Sequence, residues 1–450
     1  MWLPPGPTSR SPFGQLFSFA PNPLRFLERM AQQYGDIVAF RIRRRPVFFL
    51  NRPELIREVL VTRQRDFVKN PGFQNIRRIL GDGLLSSEGD IHMRQRRMIQ
   101  PVFRRDQVGR YGATVSELAA RAGDEWRDGV VLDAADEMSR LALSIVGRSL
   151  FGADVGDEAS EISRALTDAM SLFEGMSSPT SLLLDRLPMV NRRFRRGRDR
   201  LDETIYRIIE AGRSKASGQG DVLSALLSAE DHEGGEGRMT DKQIRDEALT
   251  LFLAGHETTA VALTWTWFLL AHHPEVEAQL KAELDEVLGE RMPTAEDLPK
   301  LTYTRMVLAE SMRLYPPVYM IGRQALVDFP VDRYVIPAGS SIIMSQYITH
   351  RDSRYYPNPE RFDPQRWTPE AQAARPKYSY FPFGGGVRVC IGEPFAWLEM
   401  ILVVAALAQR WKFLPISGRE VEMEPRVTLR PKGGMPLVVQ RQAHVQGSGI

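Results

Sequence analysis

One cysteine occurs in the 450 residues, and it stands in the run Phe383-Gly-Gly-Gly-Val-Arg-Val-Cys-Ile-Gly392. A single thiol can form neither an intramolecular disulfide nor a multi-cysteine zinc or iron–sulfur site, so Cys390 acts alone. Pro394 and the apolar run from Phe395 to Trp411 predict a helix that starts just after it. At a helix N-terminus the partial positive charge lowers a thiol pKa and favours the thiolate, the form that binds a metal. A lone cysteine without such company is ordinarily an inert core residue. Here Phe383, Gly386, Arg388, Cys390 and Gly392 make the spacing F-x-x-G-x-R-x-C-x-G, whose glycines permit close backbone approach and unusual dihedral angles.

A second constellation lies in the charge-poor stretch from Ala248 to Ala271, interrupted only by Glu257. Its length would allow a membrane span, but an acid at its centre would be costly in lipid, so a long buried helix is expected instead. Thr240-Asp-Lys-Gln243 supplies a capping box for the start of that helix. His256-Glu257 begins like the zinc-protease signature, yet Ala260 stands where the second histidine belongs. Gly384-Gly385-Gly386 likewise lacks the lysine and hydroxyl residue of a phosphate loop. In Glu310-Ser-Met-Arg313 the spacing sets an acid and a base on one helix face.

The elements that position these groups read as mainly helical, with small sheets. Ile37 to Ile42 and Pro46 to Leu50 predict a hairpin around Arg43-Arg44-Arg45. Helical patterns dominate from Arg105 to Gly289. Strand character returns in Tyr334 to Met344 and in Val427 to Val439, where Lys432-Gly-Gly434 predicts a closing hairpin turn. No repeat or low-complexity linker divides the chain, so one domain over residues 1–440 is expected, with a loose tail at 441–450. Hydrophobic residues at 43% and charged residues at 26% exclude a disordered or polytopic membrane chain. A net charge of +3 argues against a nucleic-acid partner. The chain opens without a secretory signal, so a cytoplasmic protein with no stable membrane anchor is expected.

The cysteine loop, the E-x-x-R pair and Ala254-Gly-His-Glu-Thr-Thr259 together resemble the cytochrome P450 family over nearly the whole chain. That resemblance implies the P450 fold, with haem b between the long central helix and the cysteine-loop helix. Cys390 is then the thiolate ligand of the iron, in a loop shaped by Phe383, Gly386, Arg388 and Gly392. His92, Arg96, Arg323 and Arg388 would hold the propionates, His92 standing where many relatives carry tryptophan. Glu310 and Arg313 would form a buried charge triad with Arg361 of Pro359-Glu-Arg361-Phe362. In the central helix Ala254, Gly255, Glu257 and Thr258 match the oxygen-binding motif. Gly255 would leave room beside the iron, and the Thr258 hydroxyl would bond back to the Ala254 carbonyl, open the helix locally and relay protons with Glu257.

The implied activity is insertion of one atom of dioxygen into an apolar substrate, by hydroxylation or epoxidation, in the fatty-acid, terpenoid or carotenoid class. Phe73, Leu85, Leu172, Phe173, Leu253, Val318, Met320 and Ile321 are the expected pocket. No residues remain for a reductase domain, so NAD(P)H would serve only indirectly, through a ferredoxin or flavodoxin-type donor. Arg94, Arg97, Arg104 and Arg105 are the expected docking surface for it, and a monomer is expected. The arginines from Arg192 to Arg200 read as a solvated helix face. Two other readings stay open: a peroxygenase or isomerase that needs no donor, and a non-enzymatic haem-thiolate sensor.

Overall fold

The computed structural model describes residues 3–70, 76–152, 188–214, 222–231 and 237–442. Phe73, Leu172 and Phe173 of the expected pocket lie outside the described residues, as do the tail beyond 442 and the side chains of the Arg192 to Arg200 cluster except Arg198. Arg198 pairs with Asp199 and Asp202 on an exposed helix face.

Five helices position the site: α1 (Gly89–Ile99), α2 (Ala134–Phe151), α3 (Asp241–His272), α4 (Thr302–Leu314) and α5 (Glu393–Ala408). The capping box at the start of α3 is present, with the Thr240 side chain accepting from Gln243 N and the Gln243 side chain accepting from Thr240 N. Its middle is buried on nearly all sides, which suits a helix that is apolar all round. It packs most extensively against α2 and also contacts α4 and α5. Pro274 follows His273 and ends it. No helix among the described residues is long and apolar enough to cross a membrane.

The larger sheet has five strands. Its members are β1 (Ile37–Ile42), β2 (Arg45–Leu50), β3 (Phe67–Lys69), β5 (Ile321–Ala325) and β6 (Ser341–Met344), while β4 (Val131–Asp133) belongs to another sheet. The spatial order is β1-β2-β6-β5-β3, with β1 at one edge. Ile42 faces Arg45, so the predicted basic hairpin closes on Arg43-Arg44 alone, with Arg43 at φ 53°. The stretch from Tyr334 to Met344 is two strands rather than one: Tyr334–Ile336 pairs with Phe329–Val331, and Pro337 with Gly339 at φ 80° separates it from β6.

The C-terminal hairpin expected around Lys432-Gly-Gly434 does not form. Strand β7 (Trp411–Leu414) and β4 flank β10 (Pro436–Arg441), whereas β8 (Met423–Pro425) pairs with β9 (Leu429–Pro431). The turn therefore passes the chain from one sheet to another. Gly433 and Gly434 take φ of 75° and 85°, and a Cβ on Gly434 would lie 2.0 Å from Asp133 Oδ2. Met435 N then donates to Asp133 Oδ1, which ties β10 to β4 instead of to β9.

Candidate active site

The cysteine loop is folded by close approach. Gly386 sits at φ 67°, and a Cβ there would be 1.9 Å from the Leu60 carbonyl oxygen. Val387 N donates to Gln64 Oε1 at 2.7 Å, and Cys390 N donates to Phe383 O at 2.9 Å, which closes the loop on itself. The Phe383 ring lies 5.9 Å from Trp397 on α5. Gly392 has an ordinary φ of −84°, and a Cβ there would make ordinary contacts 3.9 Å from Phe103 and 4.0 Å from Cys390 Sγ, so neither backbone nor space demands glycine.

Helix α5 begins at Glu393, so Cys390 precedes it by three residues. The sulfur keeps accessible surface although protein crowds it on most sides. Backbone N–H groups of Gly392 and Glu393 and the Arg96 guanidinium favour the thiolate, as the helix-terminus reading expects. Burial outweighs them and pushes the free thiol up to about 11, so the lowered pKa expected from sequence is corrected. A bound metal cation deprotonates such a thiol outright.

Beside the loop the structure gathers basic side chains. His92 and Arg96 project from α1, Arg323 from β5 and Arg388 from the cysteine loop. Arg388 Nη1 lies 3.0 Å from His92 Nδ1 and donates to Ser87 O at 2.8 Å, and Arg388 pairs with Glu88. Burial, then Arg388 and Lys69, hold His92 at about 4, so it is neutral at pH 7. Its Nδ1 also lies 3.1 Å from Leu84 O, and its Nε2 lies 3.5 Å from Val387 O. Arg96 donates to Val389 O at 2.9 Å, and Arg323 donates to its neighbour Gly322 O at 3.0 Å. Sequence reasoning missed Lys69, which is buried at the end of β3; burial and then Arg388 pull it down to about 7. Its position in a short strand carried no motif.

In α3 the Thr258 hydroxyl donates to the Ala254 carbonyl at 2.7 Å. The helix runs on without interruption, so the local opening expected there is absent. Gly255 does not face open space: a Cβ there would lie 3.0 Å from Val146 Cγ2, and the small residue lets α2 approach. Ala254 is instead the exposed residue here, with Gly255, Glu257 and Thr258 half-buried. Glu257 is held from outside the motif, since Thr428 Oγ1 donates to its Oε1 at 2.6 Å and Arg430 Nε lies 2.5 Å from the same oxygen. Neither partner from the β8–β9 hairpin was legible beforehand.

Glu310 and Arg313 are wholly buried on α4 and make two bonds of 2.8 Å to each other. The expected third member does not join them. Arg361 contributes only its carbonyl oxygen, 3.2 Å from Arg313 Nη2, while its side chain is exposed. Arg366 takes the place, with Nε 3.3 Å from Glu310 Oε1, and Trp367 Nε1 and Asp363 N donate to the same carboxylate. Pro364-Gln-Arg366-Trp367 repeats the Pro-x-Arg-aromatic pattern of Pro359-Glu-Arg361-Phe362 five residues later, and that second copy was the available signal.

A family model for cytochrome P450 matches residues 4–438. The chain belongs to the cytochrome P450 family. It is 39% identical over 420 residues to cyclooctatin synthase of Streptomyces melanosporofaciens, covering 92% of this chain and 91% of that protein. It is 36% identical to pentalenene oxygenase of Streptomyces avermitilis, covering 93% and 91%. The crystal structure of the cytochrome P450DA haem domain superposes with a TM-score of 0.90 at 28% identity, each chain covered to 98%. This P450 is a haem-dependent monooxygenase supplied with electrons by a redox partner. The residues present fit haem: Cys390 offers one accessible sulfur, and Lys69, Arg96, Arg323 and Arg388 against Glu88 leave positive charge for two carboxylates.

The described members of the expected pocket are not one cluster in this P450. Leu85 and Leu253 join the main helical core, Ile321 packs with the inner face of the larger sheet, and Met320 packs between Tyr319 and Phe40 neighbourhoods. Val318 is half-buried. Beneath Cys390 lies a cavity of about 450 Å³ lined by Arg96, Phe103, Arg104, Arg105 and Glu393 among others. Of the expected docking arginines, Arg94 turns away to donate to Gly237 O. Arg104 and Arg105 border the cavity.

Proposed function

We propose that this P450 oxygenates an apolar, terpenoid-class substrate in the cytoplasm, with a ferredoxin or flavodoxin-type protein delivering electrons at the cavity beneath Cys390. Haem bound to Cys390 supplies the activation of dioxygen. His92, Arg96, Arg323 and Arg388, joined by Lys69, would hold its carboxylates, and Phe383 and Gly386 shape the loop that carries the thiolate. The observation that carries the reading is Thr258, whose hydroxyl lies 2.7 Å from Ala254 O on an accessible patch midway along a largely buried helix. Rotation about its side-chain bond frees that hydroxyl to pass a proton on from Oγ1. Glu257, whose carboxylate is tethered by Arg430 and Thr428, is the acid we assign to resupply it. The compounds in the names of the two Streptomyces relatives, cyclooctatin and pentalenene, support the apolar class.

Thr258→Ala should bind substrate and consume electrons as before, while product per electron pair falls by about tenfold and hydrogen peroxide rises to match. Alanine is the better helix former, so a purely structural threonine would leave the product-to-peroxide ratio unchanged. That ratio at matched electron flux is the measurement, and equality with wild type removes Thr258 from the relay.

For the donor surface, Arg104→Glu with Arg105→Glu should raise the apparent KM for an acidic donor by about tenfold at low salt, and raised salt should shrink the difference. Substrate-induced spectral shifts should stay as in wild type. Unchanged donor kinetics would place docking elsewhere.

A further inference from the structure

One acid stands among the cations that fit the haem carboxylates. The Oε2 of Glu88 pairs with Arg388 Nη2, and its Oε1 accepts from Lys69 N at 2.8 Å, so a single half-buried side chain ties the end of β3 to the cysteine loop. Lys69 faces Arg323 across the β3–β5 ladder, and its ammonium donates to Leu85 O. Glu88 itself occupies the position just before α1, the helix that carries His92 and Arg96.

Burial works against the charge of Lys69, Arg323 and Arg388 alike, and Glu88 supports the charge of each. Glu247 of α3 also lies near Lys69, but burial pushes it up to about 8, so it is neutral at pH 7 while its Oε2 accepts from Leu84 N at 2.9 Å. Arg96 is answered separately, by the Cys390 thiolate. Three cations against the one charged acid leave two positive charges, equal and opposite to two haem carboxylates. A loaded site is then neutral. Without the charge of Glu88 it would keep one uncompensated cation, in a partly buried cluster where water screens little. Such a cation favours ferrous haem, which carries one electron more than ferric haem.

We propose that Glu88 is a positioning residue for Lys69 and Arg388, and that its charge holds down the reduction potential of the haem which, on the reading above, Cys390 binds. The step it governs is transfer of one electron from the redox partner to ferric iron, in which no covalent bond of the protein forms or breaks. Glu88 would thereby set how readily the donor reduces the enzyme.

The test is a spectroelectrochemical titration of the haem-loaded full chain. Glu88→Gln keeps the shape of the side chain and one acceptor oxygen but removes the charge. Its midpoint should rise by about 59 mV, a tenfold shift of a one-electron equilibrium toward ferrous haem, with haem content and thermal melting as in wild type. Glu88→Asp keeps the charge and should hold the wild-type midpoint. Should Glu88→Gln lower the melting temperature, the charge-cancelling pair Glu88→Gln with Lys69→Gln carries the comparison, and its midpoint should match wild type. A Glu88→Gln midpoint at or below that of wild type overturns the proposal. An equal rise in Glu88→Asp, or a midpoint in the pair as high as in Glu88→Gln, overturns it too, because side-chain length or packing would then be the cause. The thiolate Soret band of the carbon monoxide complex is recorded for every variant, so a failure of the Cys390 assignment is read separately from a failure of Glu88.

Discussion

Glu310→Ala should destabilise the protein by about 3 to 5 kcal/mol, a large share of the roughly 5 to 15 kcal/mol that holds a domain folded. The carboxylate is wholly buried and serves four groups at once: Arg313, Arg366, Trp367 Nε1 and Asp363 N. Its removal leaves the Arg313 guanidinium buried, with carbonyl oxygens of His350 and Arg361 but no opposite charge. Expression with poor haem retention and an early melt is the expected result. The companion variants separate the two candidate third members. Arg366→Ala should cost about 1 to 3 kcal/mol, because it takes an ion-paired charge from beside a buried acid. Arg361→Ala, which removes only an exposed side chain, should stay within about 0.5 kcal/mol. Denaturant melts of the three proteins decide it, and a larger loss for Arg361→Ala than for Arg366→Ala would restore the assignment drawn from sequence.

Cys390→His should abolish the red-shifted Soret band that a thiolate ligand gives to the reduced, carbon monoxide-bound protein, and with it substrate oxygenation. Folding should survive, since the loop is closed by Gly386 against Leu60 and by backbone and Gln64 hydrogen bonds that do not involve the sulfur. Circular dichroism as in wild type with the thiolate band gone is the outcome that assigns Cys390 as ligand. A mutant that keeps the band would remove it, because no other cysteine exists to take over.

Local chemistry was legible wherever a residue's own type set its role. A lone cysteine after closely spaced glycines and before Pro394 announces a loop opening onto a helix. The capping box at Thr240 and the 32-residue helix behind it follow from hydrogen-bonding groups and apolar content within the same stretch. The Thr258 bond to Ala254 O follows from helix geometry, in which a hydroxyl always has the carbonyl four residues back within reach. Membership of the P450 family rests on such motifs in their order along the chain.

Tertiary structure decided whatever depends on which neighbour arrives from far along the chain. Arg361 and Arg366 share a local pattern, and only the fold of the segment around Asp363 sends one into the core and the other into water. Gly255 advertises missing volume, but it is Val146 of α2 that fills it. The helix terminus beside Cys390 is readable in sequence, whereas the burial that overrides it comes from packing of the whole loop. Glu257 gained its tether from Thr428 and Arg430, more than 170 residues away. The physical reason is common to these cases: hydrogen-bond geometry and backbone sterics act within a turn or two of chain, while desolvation and charge pairing are set by through-space neighbours that no local pattern encodes.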